Sequence, residues 1–261
     1  MRYLFWAMLA MGMCAASYAQ PDHLGRIRSV GEVRVCIWPE YYGISFRNPL
    51  TQELAGLDVD MARELGKDLR VRVRFVDSAF GRLIDDLTND RCDVAMFGIG
   101  ITPARQQKLR FTRPYLRSDV YGITTRSNRR VRAWEDIDKP GRVVAVAKGT
   151  LHETVMGEKL RAAKLLVTDT AQARELEVES GRADVFMTDY PYSRRMLEST
   201  DWARLVSSPT PFHLTSYAYA MQPGDDAWHS RLEAFVADIQ RDGRLANAAQ
   251  RHKLLPIIVS D

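Results

Sequence analysis

The sequence predicts an α/β fold in two units, each a helix-covered, mostly parallel sheet, with a cleft between them. Three observations predict it. Strand-like and helix-like stretches alternate as β-α-β-α-β from residue 33 to residue 97, the rhythm of a parallel sheet with helical crossovers. The same rhythm restarts after Tyr115 in a smaller unit. An alternating stretch at 215–221 then returns the chain to the first unit. The 261 residues, 46% of them hydrophobic, suffice to bury two such cores.

Taken in order, residues 24–30 form a short lead-in helix and 33–37 the first strand. Residues 38–55 read as a long aromatic loop carrying Trp38, Tyr41, Tyr42 and Phe46. Leu57, Met61, Leu65 and Leu69 recur every four residues and mark one face of a helix. Residues 71–76 alternate as a strand, and 80–89 form a helix with Leu83, Ile84 and Leu87 inward. The second unit has strands at 120–125, 143–146, 165–167 and 184–188, with helices at 151–162, 171–180 and 190–197. After the returning strand, 225–242 is an amphipathic helix with Trp228, Leu232, Phe235 and Ile239 on one face, and 245–252 a last helix. The units are therefore expected at 20–118 plus 216–261 and at 119–215, joined by two chain crossings that act as a hinge. In open α/β sheets a ligand sits beyond the carboxyl ends of the strands, and here two such ends face each other.

The stretch from Asp93 to Tyr115 carries most of the chemistry. A buried strand at 93–97 is followed by a bend punctuated by Gly98 and Gly100. Thr102 is placed to cap a helix, and Pro103 suits its first position. Arg105 lies in the first turn, where free N–H groups and the positive end of the helix dipole favour an anion. A guanidinium grips a carboxylate in a bidentate, charge-assisted way. The plainer reading is an ordinary strand-to-helix turn with a surface arginine.

Composition excludes several classes. The net charge of +4 is a mild bias, and the basic cluster at 126–132 has no interleaved aromatics, so nucleic acid is not an expected partner. The five histidines show no paired spacing for a metal. No phosphate loop, nucleophile elbow or zinc motif appears, and no cofactor is expected. Residues 1–19 read as a cleaved signal peptide: Arg2, an apolar run to Met13 too short to span a bilayer, and Ser17-Tyr18-Ala19 before Gln20. Cys14 suggests a lipid anchor, but Met13 stands where a small residue is wanted. Cys36 and Cys92 remain after cleavage. In neighbouring parallel strands their offset of three or four residues is roughly 10 Å. That exceeds disulfide reach, so two separate thiols are expected.

Gly98, Thr102-Pro103-Ala104-Arg105 and Phe111-Thr112-Arg113-Pro114-Tyr115 together resemble the signature of the family 3 periplasmic solute-binding proteins, the amino-acid receptors of ABC importers. The resemblance runs through nearly all the chain after residue 30. It implies the two-lobe type II periplasmic binding protein fold, a periplasmic monomer, and ABC transporter membrane subunits as partners. Arg105, with Thr102, Gly98 and Gly100, would hold the ligand carboxylate, helped by the hydroxyl and amide of Thr150 in Gly149-Thr150. Asp189, at the end of strand 184–188, would take the α-ammonium, although an Asp there also caps the following helix. Tyr41 and Phe80 would lie over the ligand side chain, where a cation gains attraction from a ring. Three positions depart from the family pattern: Tyr41-Tyr42-Gly43-Ile44 replaces Tyr-x-Pro-Phe, Gly100 replaces a hydroxyl residue, and Gly56-Leu57-Asp58 replaces Gly-Phe-Asp. The segments 54–61 and 183–189 also resemble cyclohexadienyl dehydratases, a lyase branch whose general acid is a Glu one turn into the helix after this Asp. That position is Tyr192 here, and a phenol with an ordinary pKa near 10 is a poor acid at neutral pH. The resemblance therefore implies a binding protein and not an enzyme. A receptor serving a sensor without any transporter is the third possibility.

Overall fold

The computed structural model describes residues 22–259. Its helices, in chain order, are α1 (His23–Val30), α2 (Leu57–Leu69), α3 (Leu83–Thr88), α4 (Pro103–Gln106), α5 (Leu151–Lys159), α6 (Ala171–Glu179), α7 (Tyr190–Ser199), α8 (Asp226–Arg241) and α9 (Arg244–Arg251). The strands of the first unit are β1 (Glu32–Ile37), β2 (Glu40–Tyr41), β3 (Ser45–Arg47), β4 (Leu54–Ala55), β5 (Arg72–Asp77), β6 (Val94–Gly100), β7 (Arg110–Phe111) and β8 (Leu116–Ser118). Those of the second are β9 (Tyr121–Thr125), β10 (Val143–Ala147), β11 (Lys164–Thr168), β12 (Val185–Thr188) and β13 (Ala203–Val206), after which β14 (Thr215–Met221) goes back to the first.

The larger sheet has the order β5-β1-β6-β14-β7, with β8 also paired to β14. The smaller has the order β11-β10-β12-β9-β13. Each sheet is mixed: the larger has two parallel and three antiparallel pairings, the smaller two of each. The parallel pairings are the β-α-β crossovers seen in the sequence: β1 pairs with β5 and β6, and β10 with β11 and β12. The antiparallel pairings come from strands that cross between the units or follow a crossing. They are β14 against β6, β7 and β8, and β9 against β12 and β13. The long loop holds a three-stranded sheet, β2-β3-β4, that no alternation announced.

The expected apolar stripes bury except at Leu69 and Ile84, which are only partly covered. α2 contributes Leu57, Met61, Ala62 and Leu65, and α8 contributes Trp228, Leu232, Phe235, Val236 and Ile239. Burying each such side chain is worth about 1.5–3 kcal/mol. β6 is buried along its whole length, as a central strand covered on both faces must be.

Cys36 and Cys92 form a disulfide with a Cα–Cα distance of 5.6 Å, which corrects the expectation of two free thiols. The strand register does pair Cys36 with Ala95, three residues beyond Cys92. However, Cys92 is not in line with β6. The chain leaves α3 through Asp90, whose φ is +55°, and bends at Asp93 before the strand begins. Cys92 thus lies over the sheet face where Cys36 points, in the cluster with Leu83, Leu87 and Phe97. The signal-peptide segment and Cys14 lie outside the described residues.

Candidate functional site

Between the two sheets lies a cavity lined by Trp38, Tyr41, Phe80, Gly98, Gly100 and Arg105 from one side and by Thr150, Leu151, His152, Arg174, Thr188, Asp189 and Tyr192 from the other, with Tyr217 of β14. Its volume is ≈ 20 Å³, and hydrogen bonds cross it, from Arg105 to Gly149 and from Tyr41 and Tyr217 to Asp189.

Arg105 is 8% exposed. One terminal nitrogen donates to the Gly100 carbonyl at 2.9 Å and the other to the Gly149 carbonyl at 3.1 Å. The guanidinium therefore bridges the larger sheet to the smaller. Its carbon stands 5.5 Å from the centre of the Phe80 ring. No carboxylate lies within ion-pair distance of it among the described residues. Burial lowers its pKa to about 10, with the Tyr217 and Tyr41 hydroxyl groups acting the other way, and it stays charged at neutral pH. A charge taken from water without a counter-ion is costly unless something else compensates it.

Thr102 caps α4 as expected: its hydroxyl oxygen accepts the Arg105 N–H at 3.2 Å. It does not line the cavity, and α4 is a single turn, so the helix-dipole argument carries little here. Gly98 has φ +62°, and a Cβ there would meet the Tyr41 ring at 2.9 Å. Its N–H donates to the buried carboxylate of Asp58 at 2.8 Å, which also accepts the Tyr115 hydroxyl at 2.6 Å. Burial raises the Asp58 pKa to about 7. At Gly100 an added Cβ would press on Thr215 at 3.2 Å, so the absent hydroxyl residue leaves room for Thr215. Thr150 sits before α5 and lines the cavity, but both its hydroxyl and its amide donate to the Ala147 carbonyl, at 2.6 and 3.3 Å. Neither donor is aimed at a ligand in this state.

Asp189 and Tyr41 meet in a way the sequence did not foretell. Asp189 is 2% exposed. One of its oxygens accepts the Tyr41 hydroxyl and, at 2.8 Å, the Tyr217 hydroxyl, both from the first unit. The other accepts the Tyr192 N–H at 3.2 Å, so Asp189 caps α7 and faces the cleft at once. Burial raises its pKa, while the hydroxyls and the amide pull the other way. A carboxylate has about four acceptor directions, and three are taken. Tyr41 thus spans the cleft with its polar tip instead of lying free over it. Phe80 packs edge-on against Trp38 and Phe97 at 5.3 and 5.1 Å. Trp38 completes an aromatic wall with Tyr41 and, stacked at 6.4 Å, Tyr192. The Tyr192 hydroxyl donates to Glu175, and burial, with the neighbouring Glu175 carboxylate, pushes its pKa up to about 12.

Four polar lining residues escaped the sequence reading: His152, Arg174, Thr188 and Tyr217. Arg174 left a signal, since Ala171, Arg174 and Val178 share the buried stripe of α6 and a cation on such a stripe is unusual. The other three left none. Elsewhere, His23, Asp90 and Asp93 come within 4.8 Å of one another, a grouping their sequence spacing hid. Arg34 already pairs with both acids and Arg26 with Asp93.

Two sheet-and-helix lobes enclosing a buried arginine and aspartate define a two-lobe, type II periplasmic binding protein. The chain belongs to the bacterial extracellular solute-binding proteins, family 3, whose family model matches residues 33–254. It is 32% identical over 242 residues to a cyclohexadienyl dehydratase of Pseudomonas aeruginosa, covering 92% of this chain and 89% of that one. It is 25% identical over 210 residues to arginine-binding protein 1 of an Escherichia coli ABC transporter, covering 79% and 83%. Among solved structures, an ancestral amino acid-binding protein described as a precursor of cyclohexadienyl dehydratase superposes with a TM-score of 0.81 at 28% identity, covering 88% of this chain and 99% of that one. No helix of the described residues is long and apolar enough to cross a membrane.

Proposed function

We propose that the protein is an exported periplasmic receptor that captures an amino acid, or a related amine-carboxylate, between its lobes for delivery to an ABC importer. The lobes are 20–118 plus 216–261 and 119–215, and residues 1–19 are the signal that exports them. The observation that carries this reading is Arg105: a buried guanidinium held by one carbonyl from each lobe, with no carboxylate beside it among the described residues. A ligand carboxylate supplies the missing counter-ion, and opening of the hinge admits it. Asp189 then offers its remaining acceptor direction, or the one vacated by Tyr41, to the ligand ammonium. The relatives that bind amino acids support the ligand class.

The similarity to a dehydratase favours a second reading, a lyase acting on a cyclohexadienyl acid. Tyr192 argues against it. That residue stands where the lyase branch has its acid, and its pKa near 12 with a hydroxyl committed to Glu175 makes it a poor proton donor.

A thermal-shift screen of the twenty amino acids and their deamino analogues tests the receptor reading. A true ligand at 100 times its Kd adds about 2.7 kcal/mol of stability. At least one amino acid should shift the melting temperature, and its deamino analogue should shift it less. A deamino analogue that binds as well as its parent would make Asp189 a helix cap only.

A further inference from the structure

The cavity holds more positive charge than an amino acid's α-carboxylate needs. Besides Arg105 it contains Arg174, which is 2% exposed and forms no ion pair with any carboxylate among the described residues. One terminal nitrogen of Arg174 donates to the Met187 carbonyl at 2.9 Å, and its Nε is buried with no partner. Its guanidinium carbon lies over two rings, 4.8 Å from the centre of Phe186 and 4.5 Å from that of Tyr192. Those ring contacts hold the planar group and leave its N–H edge to find acceptors. His152 lines the same side and is 7% exposed, with both ring nitrogens buried and neither in a well-formed hydrogen bond, the Thr188 backbone being the polar group beside the ring. Burial, Arg174 and Arg105 hold that imidazole neutral, and the adjacent Thr188 backbone only partly offsets them. One nitrogen of a neutral imidazole donates and the other accepts.

We propose that Arg174 and His152 form a second carboxylate-binding pole, across the cavity from Arg105, and that the ligand is an amino dicarboxylate. The inference rests on the receptor reading above and narrows its ligand class. Charge balance in the closed cavity selects among amino acids. Arg105 and Arg174 contribute two positive charges and Asp189 one negative charge, with His152 neutral. An amino acid with an uncharged side chain leaves one positive charge buried without a partner. An arginine or lysine ligand leaves two. A ligand with two carboxylates and one ammonium brings the sum to zero, and it also supplies acceptors for the unpartnered Nε and for the donating imidazole nitrogen. Buried charge without compensation is what a closed site excludes most strongly. The chain should therefore differ in specificity from relatives described as binding arginine or lysine.

Titration calorimetry on the full chain tests this with three pairs: L-aspartate and L-asparagine, L-glutamate and L-glutamine, L-2-aminoadipate and its side-chain amide, plus L-arginine. At least one acid should bind wild type about a hundredfold more tightly than its amide, the cost of leaving a desolvated charge unpaired. In Arg174→Gln that preference should shrink to within about threefold. The proposal is overturned if every acid binds no more tightly than its amide, if L-arginine binds best, or if the preference survives in Arg174→Gln. The wild-type comparison stands even if the variant does not fold. Neutral amino acids binding in an Arg105-dependent way, with no gain for the acids, would sink the second pole alone. No binding by any of the seven would sink the second pole; no shift with any of the twenty amino acids, or binding indifferent to Arg105→Ala, would sink the receptor reading with it.

Discussion

The carboxylate of Asp58 holds the backbone of Gly98 and the hydroxyl of Tyr115 in a fully buried position, next to the site but not in it. It keeps Gly98 in its left-handed conformation under the Tyr41 ring. Burial disfavours its charge and places its folded pKa at about 7, above the ordinary carboxylate value. The folded state thus binds a proton that the unfolded chain has released. The stabilising contribution is complete below about pH 4, falls as pH rises towards 7, and is flat above. In Asp58→Asn the amide oxygen still accepts both hydrogen bonds, and no proton is exchanged. Urea midpoints from pH 4 to 8 should therefore show the variant gaining on wild type as pH rises to about 7, and then no further. A difference independent of pH would show that Asp58 titrates normally. Arg105 was readable because its cues are local: a strand, two glycines, and Thr-Pro-x-Arg within a dozen residues. Arg174 was not, because its meaning depends on Phe186 and Tyr192 arriving beneath it from other elements.

Whole helices and long strands were legible from their periods, since α2 and α8 each carry one unbroken apolar stripe. The strands β2, β3 and β4 were not, because two or three residues cannot display alternation; only pairing reveals them. The two cysteines show how a sound rule fails on a wrong boundary. The register argument holds for residues within strands, but Asp93 bends the chain just before β6. Its buried carboxylate accepts the Arg34 N–H at 2.7 Å, and its own N–H donates to the Arg34 carbonyl at 2.9 Å. That bend swings Cys92 over β1. The disulfide closes a sequence separation of 56 residues. By loop-closure entropy it should contribute about 4 kcal/mol. Urea unfolding of wild type and Cys92→Ser should differ by about that amount, and reduction should bring wild type down to the variant. Equal stabilities in oxidising buffer would mean that this crosslink constrains nothing.

Among the described residues, the Lys253–Glu198 ion pair and the Tyr190–Ser118 bond join the lobes at their edges, and two further ties join them inside the cleft. Arg105 reaches from the end of β6 to the Gly149 carbonyl, and the hydroxyls of Tyr41 and Tyr217 reach Asp189. Both ties lie at the bottom of the cleft, where the strand ends face one another. On the receptor reading proposed above, closing the lobes about the two chain crossings would bury these charges in the same event. In that reading, a ligand whose carboxylate meets Arg105 would stabilise the closed form by an interaction that only that form provides. Sequence exposed this plan through the restart of the strand-helix rhythm, but the Tyr41–Asp189 tie needed coordinates, because the two residues are 148 positions apart. The most direct test is calorimetric titration of the tightest-binding amino acid into wild type and into Arg105→Ala. The expected loss is about 2–4 kcal/mol, or roughly 30-fold to 1,000-fold in Kd, because a desolvated carboxylate loses its only guanidinium partner at that pole. An unchanged Kd in Arg105→Ala would contradict the receptor reading.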